Sequence, residues 1–317
     1  MSILGKHAKI VLIISILIWI LYALKWTRPF LMSLESHNFT NVVCFFLILT
    51  LGTSHGALDN IKGKKVLGFF GLKNILIFYL SYMLIALNII ILWIFFPTFT
   101  LVFFLIVACY HFGKEDTEFL INKKKFWHNY IFFSKGLLII LAPLHFHQNE
   151  TLELFKLLGA DTAFLLKFQS GLPEEYHYML AKISFVGYLI FFYMAIKNKD
   201  KGIHSLDFIP IIALNSVFTP LIAFTFYFCF IHSFKHSVSL MNMLHNKNLK
   251  IGFKKFVNKA LPLTVITALL FVIGVFLLTN YYALNDAILK VIFIGLASLT
   301  FPHILLEYLL EKNEKRT

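Results

Sequence analysis

Asn74–Phe96, NILIFYLSYMLIALNIIILWIFF, runs for 23 residues without a charged side chain. As a helix it would be about 34 Å long, enough to cross roughly 30 Å of hydrocarbon. Working outward from it, comparable apolar runs occupy 10–24, 39–59, 97–113, 131–146, 178–196, 207–218, 221–244, 261–280 and 287–310. The stretch 207–244 reads either as one long helix or as two. Thr219-Pro220 supplies a break, because proline disfavours helix at the residue before it and has no N–H for the helical ladder.

Composition supports the same class. Of 317 residues 59% are hydrophobic and 14% charged, and the mean hydropathy is +0.77. A water-soluble globule so built would expose large apolar patches. Soluble enzymes, secreted disulfide scaffolds, nucleic-acid binders and disordered chains are excluded. The net charge of +13 does not point to nucleic acid, since the basic residues lie in short clusters between apolar runs. Cys44, Cys109 and Cys229 lie inside apolar segments without CxxC spacing, as buried thiols do. The expectation is one all-α domain over 1–317, a polytopic bundle of about 8–10 transmembrane helices in the inner (plasma) membrane.

Loop charges decide the open stretch. With ten helices and a cytoplasmic N-terminus, 21 lysines and arginines fall inside and 4 outside; a single crossing at 207–244 gives 13 against 12. Orientation follows this bias in short loops, so the split is preferred and both termini are cytoplasmic. Residues 10–24 lead into Lys25, Trp26 and Arg28 without a small-x-small cleavage site, and read as the first membrane helix. The connection 147–177 has amphipathic stretches suited to the interface.

Of thirteen histidines, eight (His7, His37, His128, His145, His147, His177, His204 and His245) fall in loops or at helix ends, where water or headgroups solvate them. The other five, His55, His111, His232, His236 and His303, lie within membrane segments. Ionisable groups at that depth are expensive and mark function. The parity of the helices lets these five converge in the cytoplasmic half. His232 and His236 are four apart and share a helix face, the spacing by which one helix donates two ligands to a metal. One imidazole from each of two other helices completes a set suited to Fe, Zn, Cu or Ni. Asp59 follows His55 by four residues, Asp116 follows His111 by five and Glu307 follows His303 by four. Each is placed to accept from the distal ring nitrogen of its neighbour. Gly52, Gly56 and Gly113 would let helices approach closely. Lys235 is expected to face elsewhere or to snorkel. Phe103, Phe104, Phe112, Phe224, Phe226, Phe228, Phe230 and Phe234 read as lipid-facing filler or as walls of a tunnel for a polyene. These features leave open a di-iron desaturase or hydroxylase, a haem or other metal redox protein, and a transporter with a His/Asp proton relay.

HGALD at 55–59, YHFGKED at 110–116, HSFKH at 232–236 and Pro302-His303, in this order, resemble the Brp/Blh family of membrane β-carotene 15,15'-dioxygenases. The resemblance runs from about residue 45 to 307. It implies Fe(II) held by His55, His111, His232 and His236, with His303 matching a late histidine of the family. It implies cleavage of the central double bond of β-carotene by O₂, inside the lipid bilayer, to two all-trans retinal molecules. A microbial rhodopsin would be the receiver of that retinal. As drawn for the family, about eight helices are expected.

Overall fold

The computed structural model describes residues 3–24, 27, 29, 38–118, 121, 127–170, 179–196 and 202–314, without the side chains of 38, 55, 168–170, 194–196 and 205. Lys25, Arg28, His37, Lys123 to Lys125, Glu174, Glu175, His177, Lys197, Lys199, Lys201, Lys315 and Arg316 lie outside the described residues. Every regular element among the described residues is helical.

Helix α1 covers Ile3–Ala23. A second run begins as α2 (Asn38–Leu47), widens into a π turn (Ile48–Gly52), tightens into a 3-10 turn (Thr53–Leu58) and continues as α3 (Asp59–Phe69). Helix α4 (Ile75–Phe95) starts at Asn74, whose side chain accepts from the Leu76 N–H at 3.0 Å, a standard N-cap. Pro97 opens α5 (Pro97–Glu115). Next come α6 (His128–Phe146), two short helices α7 (Gln148–Leu157) and α8 (Thr162–Ser170), and α9 (Met179–Ile196). After the 3-10 turn Gly202–Leu206 the chain forms α10 (Phe208–Val217), α11 (Pro220–Phe226), a π turn (Tyr227–His232) and α12 (Ser233–Leu244). It closes with α13 (Leu249–Leu278) and α14 (Leu284–Glu314).

The break at Thr219-Pro220 is present. Phe218 and Thr219 are extended, with ψ of 152° and 157°, and Pro220 occupies the first turn of α11, where its missing N–H costs no helical bond. Seven helices among the described residues are long and apolar enough to span a bilayer. The other three expected spans are helical but do not meet both conditions. Helix α10 is 10 residues long, Met179–Tyr193 is a shorter apolar helix, and 220–244 carries His232, Lys235 and His236. The lysine clusters are also displaced from loops: Lys62 and Lys65 lie in α3, and Lys250, Lys254, Lys255 and Lys259 form the exposed first turns of α13.

The chain divides into two compact units, residues 1–44 with 105–236 and residues 45–104 with 237–317. In the first, α6 packs on α9 and α10, and α1 lies along α10. The second half of α5 and α6 approach backbone to backbone. A Cβ added at Gly113 would sit 1.7 Å from the Phe132 carbonyl oxygen, and one at Gly136 would sit 1.6 Å from that of Cys109. Gly56, expected to serve the same purpose, does not: its nearest neighbour would be the Asp59 carboxylate at 3.9 Å. In the second unit α14 packs on α3, α4 and α13, over a core of Ala57, Leu58, Leu240, Phe256 and Ala260. Leu80, Leu84, Ile94, Leu269 and Phe276 stand out from α4 and α13 at more than half exposure, the surface a hydrocarbon phase covers.

Candidate metal centre

In the first unit the π turn places His232 at its last residue, 1% exposed, and α12 carries His236 one turn on. His111, near the end of α5, is 5% exposed and meets His232 edge to face at 5.6 Å between ring centroids. Aromatic rings line the rest of the His232 imidazole: Phe112 at 4.8 Å, Phe228 at 5.9 Å and Tyr227 at 6.1 Å. Phe224 stacks on Phe228 at 5.4 Å. Three of the four residues expected to be ligands therefore belong to one unit, and two of them touch. His55 has its backbone in the 3-10 turn of the second unit, and its side chain lies outside the described residues.

Carboxylates stand at the Nδ1 atoms. His236 Nδ1 is 2.6 Å from Glu115 Oε2, and His232 Nδ1 is 3.4 Å from Asp116 Oδ1. Tyr227 OH donates to Asp116 Oδ2 at 2.9 Å. In the second unit His303 Nδ1 lies 2.8 Å from Asp59 Oδ2, and Tyr82 OH donates to the same oxygen at 3.0 Å. A carboxylate at one ring nitrogen selects the tautomer and leaves Nε2 as the ligating atom.

Asp116 and Glu307 find partners other than those their spacing suggested, and Asp59 meets His303, while the His55 side chain lies outside the described residues. Asp116 stands at His232, on a different helix from its sequence neighbour His111. Asp59 serves His303, and Glu307 forms an ion pair with Lys62 of α3. For Glu307 the reason is geometric: four residues after His303 on α14, it points the same way and lies beside the ring, whereas a residue on a facing helix can meet a ring nitrogen head-on. Glu115 and Tyr82 were missed. Glu115 had a signal, as one of two adjacent carboxylates at the end of an apolar run.

Of the two expectations for Lys235, it does not snorkel: it is 6% exposed and faces inward, with Nζ 3.7 Å from both Asp116 and Asp207. Lys135 of α6, 3% exposed, pairs with Asp207 at 2.7 Å. Burial, the largest single influence, would raise the Asp116 carboxyl, but the Lys235 ammonium, the His232 ring and the Lys135 ammonium together outweigh it and hold the carboxyl below the usual range. His128 and His204, read as solvated, are each 3% exposed. Burial first, then the Lys235 ammonium, push His204 down to about 4.

The family model for beta-carotene 15,15'-dioxygenase matches residues 46–311. The chain belongs to the β-carotene 15,15'-dioxygenase family. A relative named beta-carotene 15,15'-dioxygenase, from an uncultured marine bacterium designated 66A03, is 28% identical over 282 residues, covering 85% of this chain and 94% of the relative. No solved structure matches the chain. The family of carotenoid-cleaving oxygenases thus spans the segments that bring His111, His232, His236 and Asp59 into place.

Proposed function

We propose that this member of the family cleaves the central 15,15' double bond of β-carotene with O₂, as a non-haem Fe(II) dioxygenase, giving two molecules of all-trans retinal. The observation that carries the reading is the meeting of His111 and His232 inside an aromatic enclosure, with carboxylates at Nδ1 of His232 and His236. The donor set fits iron: imidazoles whose distal nitrogens face acceptors are oriented and made more basic as ligands. His111, His232 and His236 would hold the ion, and His55 is proposed as the fourth ligand. When bound, the iron would supply activation of O₂.

The protein's own residues have three tasks. Glu115 and Asp116 keep the His236 and His232 rings in one tautomer. Phe112, Phe224 and Phe228 offer the polyene an apolar wall beside the histidines and exclude water. A substrate that dissolves in lipid would enter laterally from the bilayer, with the inner membrane as the proposed location. Retinal would pass to a microbial rhodopsin through supply of product.

The test is expression in a bacterial host that accumulates β-carotene. Cells should pale and retinal should appear. Persistent colour with verified membrane insertion overturns the proposal. Purified protein should contain iron and show no Soret band; a Soret band would identify a haem protein instead.

A further inference from the structure

The first unit holds a row of four charges that ligand spacing does not call for. It runs from Lys135 in α6 to Asp207 at the start of α10, on to Lys235 in α12 and to Asp116 at the end of α5. The steps are 2.7, 3.7 and 3.7 Å, and the row ends at His232 Nδ1, 3.4 Å beyond. Lys135, Lys235 and Asp116 are each at most 6% exposed, and the Asp207 side chain is 12% exposed. Two ammonium groups alternate with two carboxylates, so the row is electrically neutral as a whole.

Burying such ions at membrane depth costs several kcal/mol per ion before pairing recovers it. A packing role alone could be met by leucines. Neutrality combined with alternation does something apolar packing cannot: it presents one carboxylate to the imidazole while adding no net charge beside it. An unbalanced Asp116 would bring a full negative charge to within a few ångströms of any metal held by His232, and at low dielectric that charge acts strongly.

We propose that Lys235, Asp207 and Lys135 are positioning residues that hold Asp116 against His232 and set the charge balance, and so the reduction potential, of the iron His232 would ligate. The inference rests on the iron reading of the preceding section. Lys235, which lies between the paired histidines in sequence, is the central member. It joins the Asp116 that faces His232 to the Asp207 held by Lys135.

The experiment uses the full chain, purified in detergent and loaded with Fe(II). Metal affinity is measured by chelator competition and the Fe(III)/Fe(II) midpoint by redox titration followed by electron paramagnetic resonance. Lys235→Met and Lys135→Met each leave one excess negative charge, which favours the ferric ion, so their midpoints should fall. Asp207→Asn leaves one excess positive charge, and its midpoint should rise. Each single variant should lose about 10–100-fold in iron affinity, the range for removing groups that orient a ligand. The neutral pair K135M/D207N preserves the balance and the Lys235–Asp116 contact, so it should fold, return the midpoint to the parent value and recover most of the affinity. Lys235→Arg should stay near the parent. Shifts of one sign in all single variants, no shift in folded protein, or a double variant no better than Asp207→Asn would overturn the proposal. A parent protein that binds no iron would overturn the iron reading itself and this inference with it.

Discussion

At the scale of single residues, the decisive contacts are those between an imidazole and an acid from another helix. Glu115 is the clearest, since its carboxylate stands 2.6 Å from His236 Nδ1. Glu115→Gln should lower iron occupancy about tenfold or more in metal analysis while leaving helicity by circular dichroism unchanged; full occupancy would remove Glu115 from the site. Alanine at His111, His232 or His236 should abolish the bleaching of carotene-producing cells, and activity retained by one of these variants would strike that residue from the ligand set. Gly113 tests the packing beneath the site. Its Cα lies where a Cβ would meet the Phe132 carbonyl, and backbone cannot swing aside as a flexible side chain does. Gly113→Ala should cost on the order of 3 kcal/mol, visible as an earlier thermal transition in detergent. His204 adds a pH effect. Its proton affinity in the fold is lowered to about 4, whereas an unfolded histidine titrates near 6.5, so acidification from 6.5 towards 4 charges the unfolded chain first and destabilises the fold. His204→Gln removes that penalty. Its stability relative to the parent should rise as pH falls through this window and stay constant above it.

At the scale of elements, two π turns interrupt helical runs, Ile48–Gly52 just before the 3-10 turn that holds His55 and Tyr227–His232 ending on His232. A π turn takes in an extra residue, so everything after it is rotated by roughly 100° about the helix axis relative to an unbroken helix. The i, i+4 pairing of His232 and His236 was legible because His232 closes the second π turn and the residues from it to His236 continue as regular α-helix. The face on which the pair emerges was not, because periodicity counted from Pro220 assumes α geometry throughout. Deleting Phe230, which is on the outer side of this turn at 36% exposure, should restore regular helix and turn both histidines away from His111. Loss of iron binding and of carotene cleavage in a protein that still inserts and remains helical is the expected result; full activity would show that the turn does not aim the pair.

At the scale of the whole molecule, topology remains the broadest expectation from the loop charges. Within the second unit, α13 and α14 form a hairpin joined at 279–283, so Lys247 and Glu314 lie at one end and Asn280 at the other. By the loop charges the lysine-rich end should face the cytoplasm. The native Cys44, Cys109 and Cys229 are buried, which suits a labelling assay. Asn280→Cys should react with a membrane-impermeant maleimide in intact cells, and Lys247→Cys only after the membrane is opened. The reverse pattern would invert the topology.

What the amino-acid order alone determined was the all-helical membrane class, the break before Pro220 and the segments that carry the histidines. These follow from local quantities, since apolarity over one helix length and the backbone chemistry of proline need no knowledge of neighbours. Only the tertiary structure decided that Asp116 answers to His232 and Asp59 to His303, that Lys62 meets Glu307, and that Lys135 and Lys235 are buried in a neutral row. Which side chains face one another across helices depends on how far each helix is rotated and how closely its partner approaches. Those quantities are set by π turns and glycine contacts, and residue spacing does not encode them.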